Sequence, residues 1–327
     1  MSIDYTLVKK ILWSISGTTV ILSGIYLNID TKKLLLLIQN VDWLSYCMIM
    51  MLVCVSTLVV DVISFGSAYK RHLLPGMETG SLLFLRGSIL LAVSTLPPAA
   101  PLVSLAYFKN QGINFTRTVS VELLVASMDI IGCITILTVS LLLMPAAFNW
   151  IGVISIIGFW CLFTGGVFAF KKNRTSLSKH SLFAIMKQLD SKDYSYLYSS
   201  RLSLALVHLV ALSFLLNISS IELSLTQLMI FSPLFVASAF LPISAGGYGG
   251  PQGAAVLLLV YNWELASIES AIAFSVLWST LFLIGRVTIG GLITGMLWQY
   301  SPISRNGLTK NSDRGDKPYH QDEEVLR

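Results

Sequence analysis

Apolar residues run along this chain in long stretches separated by short polar clusters. The segments that read as helices are Ile11–Leu27, Trp43–Ser64, Ser81–Leu96, Val119–Met144, Ile151–Phe170, Leu202–Ile218, Leu223–Leu241, Ala254–Tyr261 with its flanks, and Ala266–Trp298. Most approach the ~20 apolar residues a helix needs to cross a hydrocarbon core of about 30 Å. Two stretches break in mid-run. Ser81–Leu96 meets Leu96-Pro97-Pro98-Ala99-Ala100-Pro101 before a short apolar piece, Leu102–Phe108. Leu223–Leu241 meets Pro242-Ile243-Ser244-Ala245-Gly246-Gly247-Tyr248-Gly249-Gly250-Pro251 before Gln252–Tyr261. Prolines and glycines at that density cannot continue a helix.

Composition narrows the class. The 327 residues are 54% hydrophobic and 12% charged, whereas soluble domains carry about 25% charged residues. So few charges cannot cover a sphere of this size, which excludes a soluble enzyme, a nucleic-acid binder and a disordered chain. The predicted fold class is all-α, a polytopic integral membrane helical bundle. Cys47, Cys54, Cys133 and Cys161 lie inside apolar stretches and read as small buried hydrophobes. No small-residue cleavage site follows the first apolar run, so that run is expected to stay as a helix.

The basic residues decide how the segments thread. Lys9-Lys10, Lys70-Arg71-His72, Lys109 to Arg117, Lys171–Arg174 and the tail with Arg305, Lys310 and Arg314 fall on one side only if the two broken stretches enter and leave by the same face. The positive-inside rule makes that side cytoplasmic. Lys32-Lys33, beside Asp30 and Asp42, is placed outside. The expected organisation is an inverted repeat with two Pro/Gly-broken re-entrant hairpins: a membrane domain over 1–300, split into half repeats 1–145 and 146–300. A disordered cytoplasmic tail over 301–327 follows. The expected location is the plasma (inner) membrane, multi-pass, with both termini cytoplasmic. Thr175–Ser200 reads as a polar loop carrying a helix that lies on the membrane surface.

Interrupted apolar segments in corresponding positions of two halves point to a midplane binding site. Pro97, Ala99 and Pro101 at the first tip and Gly246, Gly247, Gly249, Gly250 and Gln252 at the second are the expected substrate-binding positions. The start of each second arm would aim its amides and positive dipole end at an anion such as a phosphate. The alternative is that the glycines only permit a tight turn. Ionisable residues inside spans are functional candidates: Arg86 and Arg286 for substrate, and Glu122 and Asp129, seven apart on one helix face, for proton coupling. These charges read equally as buried salt bridges that pin the hairpins to the bundle. His208 reads as a hydrogen-bonded core histidine. There is no P-loop, HExxH or clustered Cys/His set, so no metal or cofactor is expected.

The stretch Leu241 to Leu259, together with Leu96-Pro97 through Ala106-Tyr107, Lys109-x-x-Gly112 and a helix carrying Asp129, is similar to the signature of the lysylphosphatidylglycerol synthase transmembrane (flippase-like) family. The resemblance runs to about Trp298 and implies a lipid-translocating module without the soluble aminoacyltransferase domain of bifunctional members. This chain departs from the family at Pro251 and Gln252, where the family carries a basic residue and a glutamate. It departs again at Leu102 and Leu105, in place of a glutamate and an arginine, and at Ala126, in place of an arginine. The expected function is movement of a polar-headed, phosphate-containing lipid between leaflets, with the membrane lipid as partner and no nucleic acid. The alternatives are a membrane-embedded transferase acting on a lipid-linked substrate and a non-catalytic partner of a cell-envelope or glycan biosynthesis enzyme.

Overall fold

A computed structural model describes residues 16, 19, 23, 29–95, 99–143, 150–171, 190–239 and 248–300. The expected first span, the tail, and Pro97, Gly246 and Gly247 lie outside them, apart from three helical residues at 16, 19 and 23. The described chain forms α1 (Thr31–Gln39), α2 (Trp43–His72), α3 (Thr79–Thr95), α4 (Ala99–Asn110), α5 (Phe115–Leu143), α6 (Trp150–Lys171), α7 (Ser191–Ile218), α8 (Leu225–Ser238), α9 (Gly250–Ala255) and α10 (Ile268–Met296). α9 continues as a π-helical stretch, Val256–Asn262, and a 3₁₀ turn, Trp298–Tyr300, follows α10.

Four of these helices, α2, α5, α7 and α10, are long and apolar enough to cross a membrane. Their 28 to 30 residues give about 42–45 Å at 1.5 Å per residue, more than a hydrocarbon core requires. Large apolar side chains stand outward along them, among them Leu44, Leu142 and Met296, each more than 70% exposed. Such surface is costly in water and ordinary against lipid chains. The chain is an all-helical, multi-pass membrane protein.

α7 corrects the sequence reading. It begins at Ser191, not Leu202, so the last ten residues assigned to the polar loop are helix. Asp190 caps it: its carboxylate accepts from the Asp193 amide at 2.8 Å, and the Asp193 side chain accepts from the Asp190 amide. Arg71, at the end of α2, pairs with both Asp190 and Asp193 and holds this start in place. Hydropathy is blind to a capped polar turn, so the apolar pattern alone starts the span at Leu202. Asp30 caps α1 by accepting from the amides of Lys32 and Lys33. Of the four cysteines only Cys54 is buried, and Cys161 is exposed.

The helices meet in a definite order. α2 packs along α7, α3 along α10, and α8 along α5; α10 also meets α2, and α5 also meets α7. α3 and α10 touch nearly backbone to backbone. A Cβ built on Gly290 would lie 2.8 Å from the Gly87 carbonyl oxygen and 2.9 Å from the Leu91 nitrogen. Small residues allow such an approach, and in lipid, packing of this kind drives helices together. One core gathers Phe65, Tyr69, Leu85, Phe108, Val121 and Leu124 between α2, α3, α4 and α5. The other is aromatic, with Tyr46, Phe231, Phe235, Phe274 and Trp278 between the start of α2, α7, α8 and α10.

Candidate functional site

The charges of the membrane interior converge on one face of α2. Asp61, Phe65 and Tyr69 recur every four residues and so stack one above the other. Arg86 of α3 donates from Nη2 to Asp61 Oδ2 at 2.5 Å and from Nη1 to the Tyr69 hydroxyl at 3.5 Å. Arg201 of α7 donates from Nη1 to Asp61 Oδ1 at 2.8 Å and to Asp129 Oδ1 of α5 at 3.4 Å. Asp61 therefore sits between two guanidinium groups, one on each of its oxygens. Both also lie over the Phe65 ring, at 3.7 Å for Arg86 and 4.7 Å for Arg201. Tyr69 extends the chain by donating its hydroxyl proton to Glu122 of α5.

The network is dry at its centre and open at one end. The side chains of Arg201 and Arg86 are 2% and 5% exposed, while that of Asp129 is 46% exposed. Three buried N–H groups of the network find no partner among the described residues: Arg86 Nε, Arg201 Nε and Arg201 Nη2. Arg201 lies about 15 Å along α7 and Asp129 about 21 Å along α5, so the cluster is deep within the bundle. Buried charges persist at such depth only when paired and hydrogen-bonded.

Glu122 and Asp129, which share a helix face, serve different partners: Glu122 turns to Tyr69 of α2, Asp129 to Arg201 of α7. Arg86 lies in this network but Arg286 does not pair with it. Among the described residues Arg286 forms no ion pair; its guanidinium lies 3.8 Å over the Phe282 ring, and its Nε has no partner. His208 places Nδ1 2.9 Å from the Leu204 carbonyl oxygen and packs against Trp278 and Phe282. Sequence reading missed Arg201 because it stood one residue before the expected span. α2 runs eleven residues beyond Asp61, which places that carboxylate well inside the helix. The Asp190–Asp193 spacing was the available signal for the longer helix.

At the first interruption, Ala99 opens α4 and Pro101 lies exposed in its first turn. At the second, Gly249 adopts a positive φ of 96°, a conformation that favours glycine, and Gly250 and Pro251 open α9 in buried positions. Gln252 is fully buried and fully engaged. Its Oε1 accepts from the Gly249 amide at 2.6 Å, and its Nε2 donates to the Ser275 carbonyl and the Ser279 hydroxyl of α10, both at 3.2 Å. The Gly249 amide, one of the donors expected to face an anion, is thus taken by the chain's own side chain. Tyr248 and Thr280 add a hydroxyl–hydroxyl contact at 2.7 Å. A cavity of about 250 Å³ lined by Ser213, Asn217, Ile221 and Glu222 lies at the α7–α8 turn, away from the charged network.

No family model, curated protein or solved structure matches this chain.

Proposed function

We propose that this protein is a lipid transporter of flippase or scramblase type that moves a phosphate-containing lipid between leaflets of the plasma membrane. The observation that carries the reading is the Asp61–Arg86–Arg201–Asp129 network, a set of charges from four helices buried deep in an apolar bundle. Charges at that depth are expensive and mark substrate or ion pathways. Asp129, the half-exposed member, is the proton-coupling candidate; Glu122, held by Tyr69, is the second. Pro101, Gly249 and Gly250 would frame the head group from the two interrupted segments.

An inverted repeat with two re-entrant hairpins is supported by the recurrence of the same pairings. α3 packs on α10 as α8 packs on α5, α2 meets α10 as α7 meets α5, and α2 and α7 meet each other. Lys70, Arg71 and Lys109 fall at the C-terminal ends of their helices and Arg117 and Lys192 at the N-terminal ends of the helices that follow, the alternation of residues gathered on one side of a bundle, which supports a cytoplasmic placement for that side. One observation favours the non-catalytic partner reading: Gln252 ties α9 to α10 with neutral hydrogen bonds, a fixed joint where the resemblance implies a glutamate.

The test is a translocation assay. Proteoliposomes holding the full chain and a headgroup-labelled fluorescent phosphatidylglycerol are treated with an impermeant quencher. Accelerated loss of the inner-leaflet signal, abolished in Asp129→Asn, is the expected result. Signal decay equal to that of empty liposomes sinks the transporter reading. Cysteines placed at Ala99 and Gly247 in a cysteine-free background should each react from both faces of the membrane. Reaction from one face only favours the partner reading.

A further inference from the structure

We propose that the Nε–Nη2 edge of Arg201 is the binding site for a single oxyanion, a phosphate or a carboxylate, and that Asp129 is the carboxylate it displaces. The transporter reading enters only in the suggestion that a lipid carries the oxyanion. A guanidinium group offers five N–H donors in a planar fork, and two parallel donors match the two oxygens of a carboxylate or phosphate. In Arg201 one nitrogen, Nη1, makes both acidic contacts, to Asp61 at 2.8 Å and Asp129 at 3.4 Å. Nε and Nη2, which together form a complete bidentate edge, are buried without a partner among the described residues, in a side chain only 2% exposed. A desolvated, charged donor pair is among the strongest anion receptors a protein can hold.

The neighbours decide which arginine and which approach. Arg86 has one unpartnered nitrogen, and its others serve Asp61 and Tyr69, so no two-pronged edge is left. Among the described residues Arg286 has one buried, unpartnered nitrogen and no ion-paired acid to be exchanged. Around Arg201 the two carboxylates differ. Asp61 is 14% exposed and gripped by a second arginine, while Asp129 is 46% exposed and bound by a single contact longer than the usual 2.7–2.9 Å of a charge-assisted hydrogen bond. Asp129 is the partner that can leave. α5 and α7 close on each other one turn beyond it, where a Cβ on Gly132 would lie 3.6 Å from the Leu202 backbone. Two arginines then face Asp61 and the arriving oxyanion, and the charge balance that Asp129 had supplied is kept.

The test is binding of phosphatidic acid and of diacylglycerol, which differ by the phosphate, to the full chain in detergent, read by native mass spectrometry. Phosphatidic acid should bind at least tenfold more tightly than diacylglycerol. Arg201→Lys should weaken phosphatidic acid at least tenfold, because an ammonium cannot form the paired contact. Asp129→Asn, which removes the competing charge at nearly constant shape, should strengthen it severalfold. Equal binding of the two lipids, or no gain in Asp129→Asn, overturns the site, and the second criterion holds even if Arg201→Lys fails to fold. Displacement of the lipid by inorganic phosphate would mean the oxyanion alone suffices; no displacement would mean it must arrive on a lipid. Both results uphold the site. Binding as expected without translocation sinks the transporter reading and leaves the site standing; translocation with binding unchanged in both variants does the reverse.

Discussion

Asp61 Oδ1 accepts from Arg201 Nη1 at 2.8 Å across 140 residues of chain, and that contact joins α2 to α7 inside the membrane region. The same carboxylate holds Arg86 on its other oxygen. One acid thus fixes two buried cations from two further helices, and the consequences of removing it can be stated.

Asp61→Asn should be strongly destabilising. Breaking a buried ion pair from one side costs about 3–5 kcal/mol, because the remaining charge is left uncompensated. Here Arg201 would keep only its longer contact to Asp129, and Arg86 only its contact to the Tyr69 hydroxyl. Thermal unfolding in detergent should show a large drop, and adding Arg86→Gln should recover part of it. A double variant no more stable than Asp61→Asn alone would mean that Arg86 does not depend on Asp61.

Tyr69 and Glu122 should behave as one unit. Tyr69→Phe leaves the half-buried Glu122 carboxylate without its donor and the buried Arg86 Nη1 without its acceptor, and an unsatisfied buried group costs about 1–3 kcal/mol. Glu122→Gln weakens the same hydrogen bond from its other end. The double variant should lose no more than the worse single variant, a coupling readable in a double-mutant cycle of thermal stabilities. Simple additivity would separate the two residues.

Gly290 and Gly291 should answer differently to the same change. A methyl on Gly290 would collide with backbone of α3, at Gly87 and Leu91, which cannot swing aside as a side chain can. Overpacking of this kind costs about 1–3 kcal/mol, more where backbone must shift. Gly291 has nothing within 4 Å of its would-be Cβ, and alanine there should be neutral or gain up to about 1 kcal/mol in helix propensity. Equal stability of Gly290→Ala and Gly291→Ala would contradict the close α3–α10 crossing.

Gln252→Leu should loosen the joint between α9 and α10. The buried Gly249 amide would lose its acceptor, at about 1–3 kcal/mol for a group left unpaired, and the Ser275 carbonyl, in mid-helix, would lose its second donor. Cysteine labelling at Gly253, the next residue, should become faster in this background than in the parent. Unchanged labelling would mean that the joint is held elsewhere.

Outside the spans, Asp42 caps α2, and its carboxyl is held below its ordinary pKa first by the Ser45 hydroxyl and then by the Ser45 amide. The sign follows: this cap is formed above the ordinary aspartate pKa and is lost as pH falls through the lowered value. Ser45→Ala should move the Asp42 carboxyl back toward its ordinary value, measurable by carbon-13 NMR titration of that side chain. No movement would show that the Ser45 hydroxyl is not the cause.

The sequence by itself determined that the chain is helical and embedded in a membrane, because long apolar runs with so few charges have no other stable arrangement than helices in lipid. It also placed the end of α3 at Leu96, one residue beyond Thr95, and the opening of α9 at Pro251, one residue beyond Gly250, since proline and glycine act on the backbone locally. It named Arg86, Glu122, Asp129 and Arg286 as charges inside apolar segments from their surroundings alone. Only the tertiary structure decided their partners. Asp61, Arg86, Asp129 and Arg201 stand 25 to 140 residues apart, and no local period links them. Arg201 entered the bundle through the capped polar turn at Asp190, where hydropathy gives no signal. Gln252 showed as a polar residue in an apolar run, but whether it faced a ligand or α10 depended on how two helices packed. Which charges are paired, and which edge of Arg201 is left free, are consequences of that packing.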